Sequence, residues 1–290
     1  MSRMFFLIAA LLASQVALVP AIAAPTANAD AARGRQQVVS QLWDVMGMEA
    51  LMPLLRDEAL IEAESMRSEM FAHGREAGWR DRVAQIHDPA RLESLFRRGV
   101  QGDLSDLPDP QISMALDFYR TTLGQRLIRL ETSARLAMLD PAVEEDARQA
   151  FSKAASHSDP RVEQIGRLIE DADLVGPNVA AGMNAAVAFS QGFAQAGGFD
   201  MAMTEEQMLA DAWSQEPSLR AETLGWMEAY LMLAYSPLSD DELERYIEFA
   251  GSDAGQSLSA VLFAGFDALF LQTSRDLGTA AAAQMQGRDL

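Results

Sequence analysis

The chain has no cysteine in 290 residues, so neither disulfides nor thiolate metal sites can hold its fold. Its core must cohere through packing alone. Lysine is almost as scarce, Lys153 being the only one, and 42 acidic residues face 23 basic ones for a formal net charge of −19. Nucleic acid and anionic membrane surfaces are poor partners for such a chain, because both need Lys/Arg stripes to displace counterions or meet acidic lipid. Three histidines occur, His73, His87 and His157, and none stands in an H-E-x-x-H or related zinc pattern. A G-x-S-x-G elbow, an S-x-x-K pair and phosphate-cradling glycine loops are all missing, which removes the common nucleophilic and nucleotide chemistries. Strand signals are absent as well: no run alternates β-branched and polar residues, and no Asn-Gly or Asp-Gly turn occurs.

The N-terminus is the first positive feature. Arg3 precedes an apolar run from Met4 to Val19, followed by Pro20 and small residues. That is the layout of a secretory signal peptide. Residues 1–29 are expected to hold it with a short leader, cleaved after Ala23 or Ala29, since both follow an A-x-A pattern. The run is short for a span of ~20 residues, so a soluble, periplasmic product is expected.

Helix starts are unusually legible in the remainder. Asp-Pro occurs at 88–89, 109–110, 140–141 and 159–160. Asp at an N-cap accepts a bond from a free backbone N–H, and Pro at the first helical position has a preset φ and no N–H to leave unpaired. Thr204 with Gln207 and Ser239 with Glu242 form capping-box patterns that predict two further starts. Met48 to His73 reads as one amphipathic helix carrying Leu51, Leu55, Leu60, Ile61 and Met66, starting or bending at Pro53. Gly47, Gly74 and Gly78 mark breaks. Val175 to Phe199 is rich in Ala and Gly, which favours a closely packed helix over membrane insertion. The spacing predicts an all-α bundle of about ten to twelve helices in two related units, residues 30–155 and 156–290, packed as one body.

The case for relatedness is a repeat. Displacing the chain by 131 residues aligns Ser105–Leu127 with Ser236–Leu258, and seven of the 23 positions are identical, among them Phe118/Phe249, Gly124/Gly255 and Gln125/Gln256. Roughly two identities are expected by chance. The motif reads as helix, tight turn, helix: Thr121 and Ser252 cap the second helix, and the glycine lets the first lie close. The glutamine is expected to bridge backbone groups at the joint, and only Tyr119, Arg120 and Gln125 leave a functional reading open. Ala250 and Gly251 replace Tyr119 and Arg120 in the second copy, which argues against two equivalent sites.

The stretches "LWDVMGMEALMPLL" (42–55) and "FYRTTLGQRL" (118–127) resemble the exported bacterial family catalogued as domain of unknown function 2059. The resemblance covers about the first hundred residues after the leader, with residues 234–258 resembling a divergent second copy. It implies export and an all-helical fold, and it implies no reaction.

Candidate sites are few. Met66, Glu69, Met70 and His73 share a helix segment and form a conceivable metal face. Glu62/Glu64 and Glu144-Glu145-Asp146 are expected on solvated helix faces or at helix N-termini, and Trp43, Trp79, Trp213 and Trp226 in the core. No catalytic residue, cofactor or metal is assigned. The expected role is a non-enzymatic binding or interaction protein of the cell envelope, with an envelope protein or peptide as partner; the alternative is a small-ligand or metal-binding module on the Met66/Glu69/Met70/His73 face.

Overall fold

The computed structural model describes residues 25–71, 78–103, 110–199, 201 and 203–287. Residues 1–24, where a signal peptide is expected, and His73, Gly74, Ser105, Leu107 and Asp109 lie outside the described residues. Among those described, the chain is all-α, with twelve helices and no strand. They are α1 (Pro25–Val45), α2 (Met48–Met70), α3 (Trp79–Ile86), α4 (Pro89–Asp103), α5 (Pro110–Arg120), α6 (Thr122–Ala137), α7 (Pro141–Ser156), α8 (Pro160–Asp171), α9 (Val175–Gln195), α10 (Glu205–Tyr235), α11 (Asp240–Ala250) and α12 (Asp253–Gln286).

The caps act as the sequence predicts. Asp88, Asp140 and Asp159 accept bonds from the first-turn N–H groups of α4, α7 and α8. Both capping boxes close reciprocally at α10 and α11. Gly47 and Gly78 take left-handed φ values of 65° and 81° at the breaks before α2 and α3. Pro53 does not start α2: the helix begins at Met48 and carries the proline in its second turn, where the missing N–H removes one intrahelical bond. The buried face of α2 also differs from the expected one. Ile61 is exposed, while Met52, Leu55, Ala59, Ala63 and Met66 are buried, because the helix turns its small residues toward its neighbours.

α12 is the central element, packed against α3, α4, α5, α9 and α11, and α10 packs against α6, α7, α8 and α9. By length and composition α12 could cross a membrane, but half of its most apolar window is buried inside the protein. The larger core cluster draws on both sides of residue 155, for example through Phe96 set edge-on to Phe266 at 4.8 Å. A smaller cluster joins Ala63, Met66 and Trp79 to Phe193, Leu277 and Ala281.

The two joints at α5–α6 and α11–α12 make the same bonds. Thr121 Oγ1 donates to the Phe118 carbonyl at 2.6 Å and accepts from Gly124 N, and Ser252 Oγ donates to the Phe249 carbonyl at 2.6 Å and accepts from Gly255 N. A Cβ on Gly124 would lie 2.4 Å from Tyr119 Cα, and one on Gly255 would lie 2.3 Å from the Phe249 oxygen. Gln125 Nε2 donates to the carbonyls of Tyr119 and Val45 at 2.8 and 3.0 Å, covering otherwise unpaired ends of α5 and α1. Gln256 makes only a 3.4 Å contact to Gly251 O. The joints meet face to face: Phe118 stacks on Phe249 with ring centroids 3.7 Å apart and planes within 4° of parallel. Thr121→Ala is expected to destabilise by about 1 kcal/mol, the worth of an N-cap, and Gly124→Ala by about 3 kcal/mol through backbone overlap. Urea midpoints for the two variants would show this ranking, and equal midpoints would contradict it.

Candidate functional sites

Two concavities carry converging side chains. The larger is a groove of about 530 Å³ bounded by α2, α9, α10, α12 and the connection from α9 to α10. Helical spacing aims its walls inward: Gly182, Met183, Ala186, Ser190 and Phe193 share one side of α9, and Met208, Ala212, Gln215 and Leu219 one side of α10. Five methionines line it, Met66, Met70, Met183, Met203 and Met208, together with Phe189, Phe193 and Phe199. Methionine fills irregular apolar space and readjusts around different shapes. Its polar groups are Ser190, Gln215, Ser218 and Ser274 with two carboxylates, Glu62 and Asp211, which are the only charged residues of the lining among the described residues. Ser274 is fully buried there, and its Oγ has no hydrogen-bond partner among the described residues.

The second is a chamber of about 110 Å³ beside the stacked Phe118/Phe249 joint. Its key group is Glu131 on α6. The chain has four tyrosines, and all of them surround this carboxylate. Tyr235 Oη donates to Glu131 Oε1 at 2.8 Å, and Tyr230 Oη donates to the Glu131 carbonyl at 3.1 Å. Tyr246 sets its ring edge-on to Tyr235 at 5.5 Å and, with Tyr119, lines the same chamber.

Burial dominates the electrostatics here. It pushes the Glu131 carboxyl up to about 7, a shift only partly offset by the Tyr235 hydrogen bond. The residue is half-buried and lines the chamber. Burial, reinforced by neighbouring Glu131, also holds Tyr230 and Tyr235 well above the usual phenol range. Among the described residues no ion pair reaches Glu131. The nearest guanidinium on its own helix, Arg135, makes its ion pair with Glu58 at 2.6 Å and lies over the Trp226 ring at 5.9 Å.

Tyrosine placement explains the asymmetry of the repeat. In the 131-residue register Tyr119 aligns with Ala250, and Tyr246 with Ala115. Each copy therefore places a tyrosine where the other has alanine, and Tyr119, Tyr246 and Ala250 meet at one chamber. Arg120 takes no part, being exposed and paired with Asp117 at 2.8 Å.

Other expected site residues are dispersed. Met66 and Met70 line the groove, Glu69 is exposed, and His73 lies outside the described residues, so the four are not seen as one face. No cluster of three or more His, Cys, Asp or Glu suited to a metal occurs among the described residues. One acidic expectation is corrected, since Glu62 is buried in the groove wall. Glu144 stands in the first turn of α7, as a helix N-terminal charge would, and is buried against Arg148 at 3.0 Å. Trp43 and Trp79 are core residues, whereas Trp213 is 65% exposed and Trp226 lines the chamber. α10 shows little amphipathic pattern around Trp213, so nothing local marks which of its sides meets a neighbour. Glu131 gave no sequence signal at all. Comparison with protein-family models, curated proteins and solved structures finds no match to this chain.

Proposed function

We propose that this is an exported, periplasmic binding protein of the bacterial envelope that holds a small, largely apolar molecule, neutral or cationic, in the groove between α2, α9, α10 and α12. The observation that carries the reading is the groove itself: about 530 Å³, walled by methionine and phenylalanine, with Glu62 and Asp211 as its charged groups among the described residues. Ligand sites of small molecules fall in the range of about 300–1,000 Å³ and combine apolar walls with a few polar groups. The two acidic groups and a net charge of −19 disfavour anionic ligands such as fatty-acid carboxylates. Export is supported by the signal-peptide layout of residues 1–29 and by the resemblance to the family called domain of unknown function 2059. A concave groove of this size suits a small molecule better than the flat face that an envelope protein would cover.

Convergent groups with shifted pKa values are also what an active site shows. In the chamber a single carboxylate faces aromatic side chains, and the lining holds no His, Cys or Lys to act with it. That composition supports binding over group transfer.

Fluorescent probes of opposite character test the groove. The neutral N-phenyl-1-naphthylamine is expected to bind saturably, and its anionic counterpart 8-anilino-1-naphthalenesulfonate about tenfold more weakly because of the two acidic groups. Ala186→Trp, which fills the groove from α9, is expected to abolish the neutral probe's signal with helical content unchanged. Equal binding of both probes, or retention by the tryptophan variant, would overturn the assignment.

A further inference from the structure

The chamber around Glu131 has a composition of its own, independent of the groove. A carboxylate with no ion-pair partner among the described residues lines a cavity of about 110 Å³ whose walls include Tyr119, Tyr230, Tyr246, Trp226 and Phe249. Ring faces carry negative partial charge and attract cations, most strongly tryptophan and tyrosine, and cages of such rings recognise alkylated ammonium groups. The carboxylate adds a full negative charge in a setting of low dielectric, where attraction to a cation is greater than in water. Size restricts the choice further. A cavity of about 150 Å³ accepts benzene, with its six heavy atoms, so a somewhat smaller one suits about four or five.

We propose that the Glu131 chamber is a binding site for a small alkylammonium cation, its charge set against the Glu131 carboxylate and its methyl groups against the tyrosine, tryptophan and phenylalanine walls. The groups facing Glu131 are Tyr119 from α5, Arg135 from α6, Tyr230 and Tyr235 from α10 and Tyr246 from α11, with Glu58 of α2 paired to Arg135. The bidentate Arg135–Glu58 pair carries no net charge, so Arg135 does not take the place of a ligand cation. The tyrosines keep their protons well above neutral pH, whereas Glu131, pushed up to about 7, changes charge between pH 5.5 and pH 8.

Calorimetric titration of the purified protein with tetramethylammonium chloride tests the site, with tert-butanol as the neutral molecule of equal heavy-atom count and sodium chloride as the salt control. Saturable binding of tetramethylammonium at pH 8, and none of tert-butanol, is the expected result. Lowering the pH to 5.5 is expected to weaken binding about 30-fold, because a proton then occupies the carboxylate that is ionised at pH 8. Glu131→Gln keeps the size of the side chain and its acceptor for Tyr235, so it is expected to fold and to bind at least tenfold more weakly. Absence of saturable binding at pH 8 would overturn the proposal, as would equal affinity for tert-butanol or undiminished binding by a folded Glu131→Gln protein. The Glu131→Gln arm separates this site from the groove, since tetramethylammonium bound at the groove carboxylates would be retained by that variant, and the naphthylamine probe reads the groove on its own.

Discussion

Gly278→Ala is expected to destabilise the protein by about 3 kcal/mol or more, the largest single effect foreseen for so small a change. In the groove's rear wall α9 and α12 cross with their backbones in contact. A Cβ on Gly278 would stand 2.0 Å from the Phe189 carbonyl oxygen, and one on Gly192 would stand 2.0 Å from the Arg275 oxygen. Both obstacles are helix backbone, which cannot rotate aside as a side chain can. The helices would have to separate, opening contacts around Phe193 and Leu277 in the smaller core cluster. Alanine in a helix gains about 1 kcal/mol over glycine in propensity, too little to offset that loss. Thr279 Oγ1 bridges to Gly192 O at 3.3 Å, and the bridge would break on separation. The double variant Gly192→Ala/Gly278→Ala is expected to fall well short of the sum, since helices parted for one methyl group already admit the second. Urea unfolding of the four proteins measures this, and full additivity, or a stabilised Gly278→Ala protein, would contradict the packing described.

At pH 8, Glu131→Gln is expected to exceed the unaltered protein in stability by about 2–3 kcal/mol, and at pH 4 the two are expected to be equal. The sign follows from linkage. Burial raises the folded-state value of Glu131 to about 7, above its ordinary 4.5, so the folded protein binds this proton more tightly than the unfolded chain does. That contribution to stability is present in full below pH 4.5 and is lost as the pH rises through about 7. Glutamine, which never ionises, escapes the loss. His87 acts in the opposite sense. It is buried, its Nδ1–H donates to the Val83 carbonyl at 3.0 Å, and burial pushes it down to about 4 from 6.5. As the pH falls from 6.5 the unfolded chain takes up a proton that the folded imidazole refuses, so stability drains away down to about pH 4. The two groups oppose each other across much of that window. Removing Glu131 alone should therefore steepen the loss of stability toward acid. Denaturant midpoints of both proteins across pH 4 to 8 give the result, and a constant difference between them would sink the interpretation.

These two expectations rest on features of different legibility. Gly192 stands in the Ala/Gly-rich stretch that reads as a closely packed helix, so the kind of contact is visible in the sequence. Its partner is not, because Gly278 lies far along the chain in an apolar helix whose other small residues look equally suitable. Glu131 is less legible still. It sits in "RLETSARL", where Glu and Arg four residues apart suggest an exposed helical pair, whereas Arg135 is bonded to Glu58 of α2 instead.

Local features are the ones legible in the residues alone: the helical class, the starts at Asp-Pro and at the two capping boxes, and the hydroxyl-capped turns at Thr121 and Ser252. Each depends on groups within a few residues of one another, whose bonds form whatever the rest of the chain does. Tertiary structure alone decided the groove, the Phe118/Phe249 stack and the gathering of all four tyrosines around Glu131. Those follow from which side of each helix meets another. Tyr119, Tyr230, Tyr235 and Tyr246 come from α5, α10 and α11, and an apolar stripe states that a face is buried without stating against what.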